Sequence, residues 1–214
     1  MIRAYDKIYL DKARTVLARM LDFAVWELGY EIDEIFVMFI KTGLAKRFGE
    51  GDFTLLVGMS GVELAYKVLE MSNIDVKRIK VVYASERSKE YWTGWALAYY
   101  QWFTALSFKE IVEVASLKDI RALYSPYHEM DIRQFVDKMN ELYKNANYET
   151  KLKLFRKNAG LSQSELAELS GVPFRTIQQY EQRKKNINNA KVTYLIMLAK
   201  ALVCNVDDLI EKVA

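Results

Sequence analysis

The segment "LSQSELAELSGVPFRTIQQYEQRKK", Leu161 to Lys185, decides the fold of the C-terminal part of the chain. It predicts two short helices, because Gly171 suits a turn with positive φ and the fixed φ of Pro173 suits a helix start. Ala167 is small enough to lie where two such helices touch. Four apolar side chains would fill their shared core: Leu166, Val172, Ile177 and Tyr180.

Two short helices joined by so tight a turn must cross steeply, which is the helix-turn-helix pattern. The second helix would begin near Pro173 and turn its other face to solvent. That face carries side chains with no role in a core: Phe174, Arg175, Gln178 and Gln179.

Residues 151–211 carry further motifs around this segment: "GLSQSELA", "SGV", "IQQYE" and "LIMLAKALVCNVDDLI". With these motifs at these spacings, the segment resembles the DNA-binding domain of Xre/Cro-type repressors. The resemblance implies a five-helix, lambda-repressor-like domain, which we assign to residues 148–214. It also implies binding to double-stranded DNA as a homodimer on an inverted repeat.

The resemblance also implies roles for individual residues. The recognition helix would contact bases through Phe174, Arg175, Gln178 and Gln179. Arginine pairs with guanine and glutamine with adenine in the major groove, whereas Phe174 could either contact a thymine methyl group or pack on protein. The side chains expected to contact phosphates are Gln163, Thr176, Gln182, Arg183, Lys184 and Lys185. Arg156 and Glu181 would form a structural ion pair between the first helix and the recognition helix.

The charge distribution fits a polyanionic partner only weakly. Residues 148–214 hold 11 Lys and Arg against 7 Asp and Glu, whereas residues 1–147 carry a net charge of −1. The positive excess therefore lies in the segment that would meet DNA. A charge of +4 is also common on a surface without such a role.

Residues 1–147 are predicted to form a second helical domain, for which a subdivision near residue 78 stays open. The whole chain is therefore predicted to be all-α. Helices are expected over residues 5–29, Asp33–Arg47, 60–71, 116–124 and 131–145. Three serines followed by Glu at the third position predict capping boxes, at Ser60, Ser107 and Ser162. Residues 78–88 could form a strand, but no partner strand is evident, so we interpret them as a connector.

An aromatic helix over residues 91–103 leaves the role of the N-terminal domain open. Trp95, Tyr99, Trp102 and Phe103 fall on one helical face, which is typical of a core but also of an interface or a small-molecule pocket. This region is similar to an uncharacterised helical segment that precedes such domains in bacterial proteins. We expect a regulator, a repressor, whose N-terminal domain dimerises or binds an effector. The alternative is an antitoxin whose N-terminal domain binds a toxin and whose C-terminal domain represses its own operon.

Enzymatic, metal and membrane functions are not indicated. Ser60 in "GMSGV" is explained as a helix cap, and the only histidine, His128, has no nucleophile beside it. One His and one Cys are too few for a structural zinc site, and no cofactor fingerprint occurs. No apolar run is long enough to span a membrane, and the single Cys204 fits a cytoplasmic protein.

Overall fold

A computed structural model describes residues 3–75, 77–81, 87–146 and 149–211. All regular secondary structure in these ranges is helical, which confirms the predicted all-α class. The chain divides into two compact units between Tyr143 and Lys144. The predicted domain boundary, between residues 147 and 148, lies outside the described ranges.

Alongside several shorter helices, the first unit packs one helix of 16 residues against another of 17 residues near the N-terminus. A 3₁₀ turn over Lys7–Tyr9 leads into that helix. The α-helices that begin in this unit are α1 (Leu10–Trp26), α2 (Ile32–Lys41), α3 (Leu44–Gly49), α4 (Phe53–Leu56), α5 (Gly61–Met71), α6 (Lys89–Thr104), α7 (Phe108–Val112), α8 (Leu117–Ala122), α9 (Tyr124–Tyr127) and α10 (Ile132–Asn145).

Helix α1 packs against both α5 and α6, and glycine allows the closest approach. A Cβ atom added at Gly94 of α6 would lie 2.6 Å from the Leu17 carbonyl oxygen and 2.7 Å from the Ala18 Cα atom of α1. Because those atoms belong to the backbone, they cannot rotate away. The two helices therefore meet backbone to backbone at this point.

The predicted helix bounds agree best with the structure where a capping residue precedes the helix. Ser60, Ser107 and Ser162 each accept a hydrogen bond from the backbone of a glutamate three residues on, and that glutamate bonds back to the serine N–H. All three predicted capping boxes are thus confirmed.

The prediction of one continuous helix over Asp33–Arg47 is wrong. Gly43, with φ of 76°, separates α2 from α3.

The aromatic helix α6 is mostly core. Trp92, Tyr100 and Trp102 are buried, whereas Trp95, Tyr99 and Phe103 are half-buried. Arginine side chains cover this half-buried face: the Arg14 guanidinium lies 3.3 Å from the centre of the Trp95 ring and the Arg3 guanidinium 3.8 Å from that of Phe103.

Upstream of α6, residues 78–81 have no regular structure, and residues 82–86 of the possible strand lie outside the described residues.

The second unit contains the five helices that the sequence predicts. They are α11 (Lys151–Asn158), α12 (Gln163–Ser170), α13 (Phe174–Glu181), α14 (Val192–Leu202) and α15 (Val206–Leu209). A 3₁₀ turn over Ile187–Asn189 lies between α13 and α14. Cys204 is half-buried beside the core of this unit, as its apolar neighbours in the sequence indicate.

Candidate nucleic-acid interface

The turn between α12 and α13 has the geometry that its sequence predicts. Gly171 adopts a φ of 70°, and its N–H bonds the Ala167 carbonyl at 2.9 Å. The Ser170 hydroxyl accepts the Val172 N–H at 3.2 Å and closes the turn. The four predicted core side chains are all buried: Leu166, Val172, Ile177 and Tyr180. This packing fixes which face of α13 turns outward.

The outward face of α13 carries the predicted base-contacting residues. Arg175 is exposed, and Gln179, one turn later, is half-exposed, as is Gln178. Phe174 is 44% exposed, so it does not pack into the core of its own unit. Among the described residues, no hydrogen bond or ion pair engages the side chains of Arg175, Gln178 or Gln179. These polar groups are available to an outside partner.

Arg156 and Glu181 form a buried, bidentate ion pair that joins α11 to α13. The Arg156 Nε atom donates to Glu181 Oε1 at 2.6 Å, and Nη2 donates to Oε2 at 2.9 Å. The remaining Nη1 atom bonds the Leu161 carbonyl at 2.7 Å. The hydrogen bonds to Glu181 raise the pKa of Arg156, because they favour its charged form. The pair thereby sets the position of α13 against the rest of the domain.

Gln163 is bound to the same carboxylate. Its Nε2 atom donates to Glu181 Oε2 at 2.7 Å, which holds the side chain at the first turn of α12. Among the described residues, its amide oxygen has no partner. Thr176, the other predicted phosphate contact on a helix, is half-buried near the start of α13.

The four predicted phosphate-contacting residues after α13 are not equivalent. Gln182, Lys184 and Lys185 are exposed, and neither lysine takes part in an ion pair within the described residues. Arg183 is half-buried in a left-handed backbone conformation, with φ of 56°, and its Nη1 atom lies 3.8 Å from Glu211 Oε2. The structure therefore brings Arg183 to a carboxylate rather than leaving it facing solvent.

Glu211 and Asn188 organise this loop, and the sequence analysis did not single them out. Glu211 Oε1 accepts the Lys151 N–H at the start of α11, at 2.7 Å. The Asn188 side chain exchanges two hydrogen bonds with the backbone of Glu211, at 2.7 and 2.8 Å. The loop after α13 is thus tied to both ends of the domain.

A comparison with protein families fits this geometry. Residues 152–209 match the family model described as helix-turn-helix. The match extends from α11 to α15, and it confirms the predicted resemblance of the C-terminal segment to helix-turn-helix repressors. No curated protein and no solved structure matches the chain. The resemblance of the N-terminal region to an uncharacterised bacterial segment stays a prediction.

Within the described residues, no cluster of His, Cys, Asp and Glu is placed to hold a metal ion. In the same residues, no helix combines the length and the apolar character that crossing a membrane requires.

Proposed function

We propose that the protein is a transcriptional regulator that acts as a repressor. It binds double-stranded DNA through its second unit. The helix-turn-helix match over residues 152–209 supports DNA binding. The observation that carries the proposal is the outer face of α13, where the exposed or half-exposed polar side chains have no hydrogen-bond or ion-pair partner among the described residues. In this motif the second helix enters the major groove, and its first turns read the base edges.

Arg175 and Gln179 are the principal base-reading residues in this proposal. They lie one helical turn apart on the face opposite Ile177 and Tyr180, so both side chains reach the same groove. The Arg175 guanidinium can donate two hydrogen bonds to a guanine, and the Gln179 amide can pair with an adenine. Gln178 and Phe174 flank them, and the exposed Phe174 ring is suited to a thymine methyl group.

Phosphate contacts would fix the position of α13 in the groove. Lys184 and Lys185 are exposed cations directly after the recognition helix, and exposed Gln182 accompanies them. Gln163 is held in place by Glu181 at the start of α12, and Thr176 lies at the start of α13. Such contacts make affinity depend steeply on salt, while they carry no sequence information themselves.

The complete complex is proposed to be a homodimer on an inverted repeat. A single helix-turn-helix domain reads few base pairs, whereas two copies double the contact area and the length of the site. The symmetry of the operator would then match that of the protein, and occupation of a promoter would exclude transcription.

Selection of bound sequences from random duplexes, with the full chain, identifies the operator. We expect Arg175→Ala to weaken binding to the selected site by about 1–3 kcal/mol and to relax preference at one base position. Arg133→Ala, an exposed arginine in the first unit, is the matched control and should leave affinity unchanged. Equal binding of selected and scrambled duplexes by the wild-type protein would refute specific recognition.

A further inference from the structure

The first unit contains a cleft of about 210 Å³ at the start of the aromatic helix. Its lining is mostly aromatic and consists of Arg87, Tyr91, Trp92, Trp95, Tyr124 and His128. We propose that this cleft binds a small aromatic carboxylate, with the ring between the aromatic walls and the carboxylate on Arg87. This proposal does not rest on DNA binding, which concerns the other unit.

The aromatic walls hold each other in position. The Trp92 ring meets Tyr124 edge-on, with centroids 5.6 Å apart, and meets Phe135 of the core in the same way at 5.4 Å. His128 stacks on Tyr124, with centroids 4.0 Å apart and planes inclined by 15°. A planar ring can add to such a set by stacking or edge contact. The volume is below that of a pocket for a drug-sized ligand, so it fits a molecule of one or two rings.

An aromatic cleft often binds a cation, but the charges around this cleft oppose one. The Arg14 guanidinium lies 3.3 Å from the centre of the Trp95 ring, Arg87 lies 5.2 Å from Tyr91, and Lys89 lies 5.8 Å from Tyr124. Protein cations thus already lie over three of these rings, where they would repel a ligand cation. Among the described residues, no carboxylate lines the cleft.

The positive charge beneath Trp95 is weakly compensated. Among the described residues, the buried Nε and Nη2 atoms of Arg14 have no hydrogen-bond partner. Within the part of the chain that the structure describes, it pairs only with Asp11, at 3.9 Å, and the Asp11 side chain is 97% exposed. Burial lowers the pKa of Arg14 to about 10, so it is still charged at neutral pH. A buried, poorly screened cation next to the cleft favours an anionic ligand.

Among the described residues, Glu90 and Glu129 are adjacent in sequence to lining residues, and each carboxylate lies against a group other than Arg87. Glu90 is buried and is bound by Arg121 at 2.5 Å and by the Trp26 indole N–H at 2.8 Å. Glu129 lies 3.5 Å from His128 Nε2 but is 81% exposed. The other ring nitrogen of His128, Nδ1, bonds the Tyr124 carbonyl at 2.9 Å, which fixes the imidazole and leaves Nε2 toward Glu129.

Isothermal titration of the full chain with sodium benzoate and with sodium indole-3-carboxylate tests the proposal. We expect saturable binding with one site per chain for at least one of the two. Benzamide, which lacks the charge, cyclohexanecarboxylate, which lacks the aromatic ring, and tetramethylammonium, which carries the opposite charge, should each bind at least tenfold more weakly. Absence of saturable binding for both aromatic carboxylates, or equal binding of any of the three controls, overturns the proposal.

Two variants locate the site. Arg87→Gln should raise the dissociation constant about tenfold or more, because a charge-assisted hydrogen bond is lost, whereas Arg133→Gln on the surface should leave it within about twofold. Tyr124→Leu should abolish the preference for benzoate over cyclohexanecarboxylate, with the circular dichroism spectrum confirming that the variant is folded. Equal affinities of the Arg87 and Arg133 variants would place any binding elsewhere and refute the assignment.

Discussion

At the scale of single residues, Glu181 has two roles in the second unit. Its carboxylate accepts hydrogen bonds from Arg156 on α11 and from Gln163 on α12, although it belongs to α13 itself. A substitution here acts through folding, whereas a substitution of exposed Arg175 acts on the partner. The two kinds of loss can be separated by measuring stability and DNA binding on the same variants.

Arg156→Met should lower the free energy of unfolding by about 3 kcal/mol, because it leaves a buried carboxylate without its cation. Gln163 still donates a hydrogen bond to Glu181 in this variant. The loss of stability should therefore lie at the lower end of the range for broken buried ion pairs. Arg175→Met is the control and should change stability by less than about 0.5 kcal/mol. Urea unfolding of the full chain measures both. An equal, small effect of the two substitutions would contradict the structural role of the pair.

The loop after α13 allows a second comparison between neighbouring cations. Lys184→Ala should weaken binding to all duplexes alike and reduce the slope of log affinity against log salt by about 0.9, the value for one phosphate contact. Arg183→Ala should reduce the slope less, because Arg183 is already paired with Glu211. Gel-shift titrations across salt concentrations give both slopes. A larger change for Arg183 would show that its pairing is broken on DNA.

At the scale of helices, the contact of α1 with α6 depends on a missing side chain. Gly94→Ala should destabilise the protein by about 1–3 kcal/mol, because the new Cβ atom clashes with the backbone at Leu17 and Ala18. Gly49→Ala is the matched control, since the nearest neighbours of its Cβ atom would be side-chain atoms, Gln101 Nε2 at 3.1 Å and Phe108 Cδ2 at 3.9 Å, rather than the backbone of another helix. Thermal unfolding compares them. A neutral Gly94→Ala would mean that the helices separate at little cost.

Some features of the helices could be predicted from the sequence, and others could not. The turn at Gly171 and the exposed face of α13 follow from local spacing, because Leu166, Ile177 and Tyr180 must be inside. The break at Gly43 was missed, because apolar residues continue on both sides of it, from Ile40 to Leu44. A single glycine within a periodic pattern does not by itself show that its φ is positive.

Long-range side-chain contacts could not be predicted from the sequence either. Glu211 bonds Lys151 and pairs with Arg183, residues far from it along the chain, and no periodicity connects them. The aromatic stripe that the sequence favours as core is only partly so: Trp102 is buried, whereas Trp95, Tyr99 and Phe103 are half-buried. The arginine that covers Trp95 could not be predicted, since Arg14 comes from a different helix. Local patterns thus predict elements and the direction of their faces, whereas partners of individual charges depend on the tertiary fold.

At the scale of the whole molecule, the proposed homodimer makes a prediction about DNA length. Two recognition helices related by a two-fold axis reach half-sites whose centres lie about one helical turn, or 34 Å, apart on one face of the duplex. Inserting about five base pairs between the half-sites of the selected operator rotates one of them to the opposite face. Affinity should then fall to that of a duplex with one half-site, because the second contact no longer adds to the first.

Titration of the full chain against the native, lengthened and single half-site duplexes measures this effect, and light scattering gives the number of chains per duplex. Two chains on the native operator, with about a hundredfold or greater loss on the lengthened one, would support symmetric binding. The control is a substitution of the central base pairs without a change of length, which leaves both half-sites on one face. Equal affinity for native and lengthened operators would mean that each chain binds its half-site independently, and the dimer would have to be abandoned while recognition by α13 could stand.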